Sequence, residues 1–144
     1  MTAAPIVRLP QWEARLAEYL TAQRDAVFAW GRVDCVLFAA GAVLAMTGID
    51  PAAAARGRYA TAIGARRLMT RMGWADLPVM LAAHFGEIGP ACAQRGDVVF
   101  DGRSLGVCAG RTACFLGEQE DYETGLIHLP LARWERAWRV PFPS

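Results

Sequence analysis

Ahead of Pro90 the apolar positions recur with helical spacing. Trp12, Leu16, Tyr19 and Leu20 stand at i, i+4, i+7 and i+8, one stripe of an amphipathic helix over Gln11–Ala22. An irregular stretch, Arg24 to Val33, leads to Asp34, a residue type whose side-chain oxygen caps exposed helix amides. The run Cys35–Met46 is apolar on every side, which predicts an interior helix, and Gly48 is placed to end it. Thr61–Met72, stopped by Gly73, and about Asp76–Phe85, stopped by Gly86, predict two shorter helices. Pro78 suits the first turn of the latter, where no amide donor is needed.

Beyond Pro90 the pattern becomes short β-branched and aromatic runs: Asp97–Phe100, Leu105–Ala109, Thr112–Leu116 and Leu126–Leu129. Asp101-Gly102-Arg103, Gly110-Arg111 and the acidic loop Gly117–Gly125 separate them, the spacing of an antiparallel meander. Leu131–Ala137 fits one more helical turn, and Trp138–Val140 a closing strand or tail. Helices followed by a meander predict the α+β class, with the all-apolar helix packed on a small antiparallel sheet. No repeat, low-complexity tract or linker interrupts residues 1–144, so a single domain is expected.

Composition narrows the classes. Hydrophobic residues make up 54% and charged residues 20%, enough apolar material for a core and too much for a disordered chain. The 15 basic residues, all arginine, nearly cancel 14 acidic ones, and no basic run exceeds Arg66-Arg67. That excludes the electrostatic footprint of a nucleic-acid binder. The uncharged stretch Cys35–Ile49 falls short of the roughly 20 residues a membrane span needs, so no membrane insertion is expected. The beginning of the chain lacks the basic start and apolar core of a secretion signal, and the four cysteines are expected to be reduced. There is no CxxC pair, and His84 and His128 stand far apart, so neither a zinc site nor another cofactor is expected.

The segment Phe28–Cys35 carries the candidate chemistry. It puts Cys35 in the first turn of the interior helix, behind a glycine-containing loop and the cap Asp34. A helix N-terminus favours thiolate over thiol, and its amides can hold a developing oxyanion. Cys35 is therefore a candidate nucleophile; the alternative is a small buried apolar residue with Asp34 as a plain cap. His128 alternates with Ile127 and Leu129 and shares a strand face with Leu126; it is either a relocated base or a solvated histidine. His84 reads as a helix C-terminal cap. Cys108 and Cys114 read as core packing, on different faces if the turn between them has two residues. The acidic run Glu118–Glu123 is either a solvated loop tip or a contact for a basic partner. Trp134 and Trp138, interleaved with Arg133, Arg136 and Arg139, are either a contact surface or core filling.

The order Trp30-Gly31-Arg32-Val33-Asp34-Cys35, then Gly96–Phe100, then Ser104–Gly110 resembles the NlpC-type cysteine peptidases. The likeness extends from Gln11 to Val140. It implies a minimal papain-like fold and cleavage of peptide bonds in bacterial cell walls, with Cys35 as nucleophile. In that family the second strand opens with the catalytic histidine; here Ser104 stands in its place. Serine has no titratable group near neutral pH, and loss of a general base removes about 10² to 10⁴ in rate. The third polar residue of the family falls on Thr112–Leu116, where Thr112 and Cys114 qualify. The strand Leu105-Gly106-Val107 and the closing Ala137–Val140 are similar to divergent NlpC-like domains encoded among phage tail genes. That likeness implies a tail-tip or tail-assembly component of the virion, made in the host cytoplasm. Other tail-tip proteins would be its partners, with peptidoglycan a further one. Three readings follow: a catalytically degenerate tail component, an active peptidase using Cys35 with His128 as relocated base, and an unrelated α+β domain. The serine at 104 puts the first ahead.

Overall fold

A computed structural model describes residues 5–117 and 125–144. Among these, four α-helices come first: α1 (Trp12–Ala22), α2 (Cys35–Thr47), α3 (Ala62–Arg71) and α4 (Leu77–Ala82). Six strands follow: β1 (Gly86–Ile88), β2 (Val98–Phe100), β3 (Leu105–Cys108), β4 (Thr112–Leu116), β5 (Leu126–Pro130) and β6 (Arg136–Arg139). The class is α+β, as the element order predicts.

Three helices begin on the residue types their N-termini require. Asp34, Thr61 and Asp76 are extended and accept from the amides of Leu37 (3.0 Å), Gly64 (3.0 Å) and Val79 (2.9 Å). Each such cap contributes about 1 kcal/mol. Gly48 ends α2 at φ +79°, a left-handed conformation that glycine adopts without steric cost. Along α2, Leu37, Phe38, Ala42, Val43 and Met46 are all buried. α1 lies against α2 through the fully buried Leu16, with Trp12, Tyr19 and Leu20 packed beside it. Gly41 is what permits this approach: a β-carbon there would collide with the Tyr19 ring, whose hydroxyl donates to the Phe38 carbonyl at 2.7 Å. α3 is amphipathic yet contributes no fully buried residue.

The sheet order is β1-β6-β2-β3-β4-β5, antiparallel throughout. The expected meander holds for β2 to β5. Two expectations are corrected. β1 is an additional strand before Pro90, too short and too exposed to show a period of two. The closing segment is the strand rather than the tail, but the helical turn expected over Leu131–Ala137 is only a 3-10 turn at Leu131–Arg133, after which β6 begins at Arg136 and pairs with both β2 and β1.

α2 crosses one face of the sheet over β3 and β4. Val98, Leu105, Val107, Cys114, Leu116 and Trp138 meet it there. On the far face Val99, Cys108, Ala113, Phe115 and Ala137 form a second cluster beneath Trp134. The strands are thus apolar on both faces, which explains their unbroken hydrophobic runs. Cys108 and Cys114, flanking the Gly110-Arg111 turn, are buried on opposite faces, and burial pushes both thiols above their ordinary value.

The tryptophan–arginine segment is core rather than contact surface. Trp138 is completely buried, and Trp134 is 7% exposed with its indole N–H donating to the Leu129 carbonyl. Arg136 pairs with Glu87 through two bonds of 2.8 and 2.7 Å, and Arg139 with Asp97 at 3.0 Å. Asp97 also receives the buried Arg8 guanidinium at 2.8 Å and the amides of Gln94 and Val140. Arg8 further donates to the carbonyls of Val140 and Arg95 and lies against the rings of both Trp12 and Phe142, which meet edge-on. Burial lowers its pKa, and Asp97 opposes that shift. This knot ties the segment before α1 to β2 and β6. The acidic run Glu118–Glu123 lies outside the described residues.

Candidate functional site

Cys35 is the first residue of α2 and lines a cleft of about 590 Å³. One wall is the glycine loop and the start of α2. The opposite walls are α3 with α4 and the turn between β2 and β3. The local sequence explains the loop. Gly31 sits at φ +80°, and a side chain on it would run into the Tyr59 carbonyl. Its own carbonyl accepts from Gly57 at 2.9 Å, fastening the segment before α3 against the loop.

Asp34 holds this corner together. It is 1% exposed. One carboxylate oxygen accepts from the Leu37 amide; the other accepts from the Gly31 amide (3.0 Å) and the Tyr59 hydroxyl (2.5 Å). A carboxylate with three short donors is fixed in orientation, and three chain segments are fixed with it. Burial, and then the bond to Asp34, push the Tyr59 phenol well above its ordinary value. Tyr59 is the site residue that reading along the chain misses. Its partner lies 25 positions away, and the alanine-rich stretch around it carries no periodic signal.

Ser104 is buried and lines the same cleft as Cys35. The turn that delivers it is built by Asp101, whose carboxylate accepts from the amides of Arg103 (2.8 Å) and Ser104 (2.7 Å). β3 starts at the next residue. Ser104 therefore brings a hydroxyl to the thiol's cleft.

His128 is placed elsewhere. It lies exposed on β5, the edge strand opposite β1, in register with Cys114. Its Nδ1 is 3.7 Å from the Cys114 sulfur and 3.5 Å from the Thr112 hydroxyl. As alternation predicts, Leu126 on its face packs toward α2, while Ile127 and Leu129 pack on the far side. His128 does not line the Cys35 cleft. Nor does His84, whose Nδ1 lies 2.8 Å from the Met80 carbonyl near the end of α4 and whose ring contacts Trp74. Among the described residues the cleft therefore contains a thiol, the carboxylates of Asp34 and Asp76, a phenol, a hydroxyl and the guanidinium groups of Arg66 and Arg103, and no imidazole.

All four cysteines are thiols rather than disulfides. Among the described residues no group of three His, Cys, Asp or Glu side chains is placed to hold a metal ion, and no helix is long and apolar enough to cross a membrane. Fold and site together define an α+β protein with a cysteine at the tip of an interior helix, open to a cleft shared with the start of a strand. The chain belongs to the family described as domain of unknown function DUF6950, whose model matches residues 7–140. No curated protein matches it.

Proposed function

We propose that the protein is a papain-like, NlpC-type domain of a phage tail that has lost peptidase activity and uses its Cys35 cleft to bind peptide rather than cut it. One observation carries the reading: Cys35 and Ser104 line a single cleft in which no described residue is a histidine. Peptide hydrolysis by a thiol needs a base within hydrogen-bond reach to take the proton and return it to the leaving amine. Asp34 is not placed to serve, since both its oxygens are occupied by donors, and the cleft's other carboxylate, Asp76, caps α4 through the Val79 amide. The tail assignment rests on the likeness of Leu105–Gly110 and Ala137–Val140 to tail-encoded NlpC-like domains.

Cell-wall peptide cleavage and particle assembly test this directly. The wild type is expected to release no fragments from peptidoglycan, and Cys35→Ala to leave tail assembly intact. Ser104→His puts an imidazole into the cleft and is expected to speed Cys35 alkylation near neutral pH. Cleavage by the wild type that Cys35→Ala abolishes would overturn the proposal and favour the active peptidase. Assembly that proceeds without the protein would remove the tail role.

A further inference from the structure

Residues 51–75 contain five arginines and no aspartate or glutamate, leaving the rest of the chain ten arginines against all 14 acids. Most of that charge is gathered on α3. Its helical period turns Ala65, Leu68 and Met69 inward, where they line the Cys35 cleft. Ile63, Arg67, Thr70 and Arg71 are left facing solvent, with Arg66 exposed at the cleft's rim. Among the described residues the side chains of Arg66, Arg67 and Arg71 make no hydrogen bond or ion pair, whereas Arg56 is held by Asp50 at 2.6 Å. Surface helices ordinarily interleave acids with bases, because like charges four positions apart, as Arg67 and Arg71 are, destabilise a helix. The next acid along the chain, Asp76, is turned to the Val79 amide. Ile63, one turn before Arg67, is 66% exposed, the most of any large apolar side chain among the described residues. Unbalanced charge and bare apolar surface both disfavour the isolated chain, and a partner of opposite charge relieves both.

We infer that the outer face of α3 is a docking surface for an acidic segment of another protein, its carboxylates pairing with Arg66, Arg67 and Arg71 and an aliphatic side chain covering Ile63. Charge complementarity selects the occupant. A nucleic acid would carry its phosphates past the roughly 15 Å of α3 onto a surface with more acids than bases, and would leave Ile63 uncovered. A bilayer takes up the apolar face of a helix, and that of α3 is turned into the protein. The surface goes beyond the reading of the Cys35 cleft and stands whether or not Cys35 cuts peptide.

Fluorescence anisotropy of labelled EELEELEEL-amide, titrated with the full chain, tests it beside labelled EEGEEGEEG-amide, labelled oligothymidylate and phosphatidylglycerol vesicles. The leucine peptide is expected to bind saturably, more tightly than the glycine peptide, and to weaken as salt rises from about 20 to about 200 mM. Arg67→Glu should weaken it at least about tenfold. Arg111→Glu makes the same charge change in the turn between β3 and β4 and should leave affinity within about twofold. Arg71→Glu repeats the test if Arg67→Glu does not fold. Absence of saturable binding, equal losses in Arg67→Glu and Arg111→Glu, equal affinity for the two peptides, or tighter binding of oligothymidylate or the vesicles would overturn the surface.

Discussion

Asp34 and Asp97 are withdrawn from water to the same degree, 1% and 0% exposed, yet their surroundings differ in kind. Asp97 is met by two guanidinium groups, those of Arg8 and Arg139, and by two amides. Its charge is cancelled locally, and the result is a fastener between distant parts of the chain. Asp34 is met by two amides and a phenol, all neutral. Those donors orient the carboxylate without cancelling it, and it stands on the wall of a cleft. A buried carboxylate by itself therefore says little about role; what separates structural from site carboxylates here is whether the donors carry charge.

The largest expected difference comes from truncating each acid. Asp97→Ala leaves Arg8 buried without a counter-charge and should cost about 3–5 kcal/mol in urea denaturation, a large share of the stability of an ordinary domain. Pairing it with Arg8→Met should recover part of that loss, because an apolar pair no longer strands a charge. Asp34→Ala removes a cap and strands neutral donors only, for an expected loss of about 1–3 kcal/mol. If the two single variants lose equal stability, the distinction fails.

A smaller effect sharpens the Asp34 side. Tyr59→Phe deletes one hydrogen bond and should cost about 1 kcal/mol at neutral pH. Because burial and Asp34 hold the Tyr59 phenol above its ordinary 10.0, the folded chain keeps a proton there that the unfolded chain gives up. Stability should therefore decline as pH rises past 10. Tyr59→Phe should flatten that decline in pH-dependent denaturation, leaving a remainder from Tyr19, which burial shifts the same way. An unchanged slope would mean that Tyr59 ionises as freely as in the unfolded chain.

Much of the site's frame is local and could be read directly. Asp34, Thr61, Asp76 and Gly48 mark helix ends because caps depend on residues three or four positions apart. Thr112–Leu116 is a strand as its pattern predicts. Long-range partners were not legible. Arg8 sits in the run Ile6-Val7-Arg8-Leu9, and a lone charge among apolar residues signals a buried partner, but nothing nearby names Asp97. The insertion of β6 between β1 and β2 leaves no mark in its own residues, since the tryptophan and arginine pattern of 133–139 suits a surface as well as a core. The face of His128 followed from alternation; its distance from the cleft depended on strand order, which alternation does not encode.

That insertion of β6 bears on how the protein forms during synthesis. Until residues 136–139 leave the ribosome, β1 has no neighbour, β2 is an open edge, and Asp97 lacks Arg139. The nascent chain then holds the β2–β5 ribbon with β1 detached from its open β2 edge. Completion waits for residues 136–139, so a ribosome stalled shortly before them would display an unfinished edge able to pair with foreign strands.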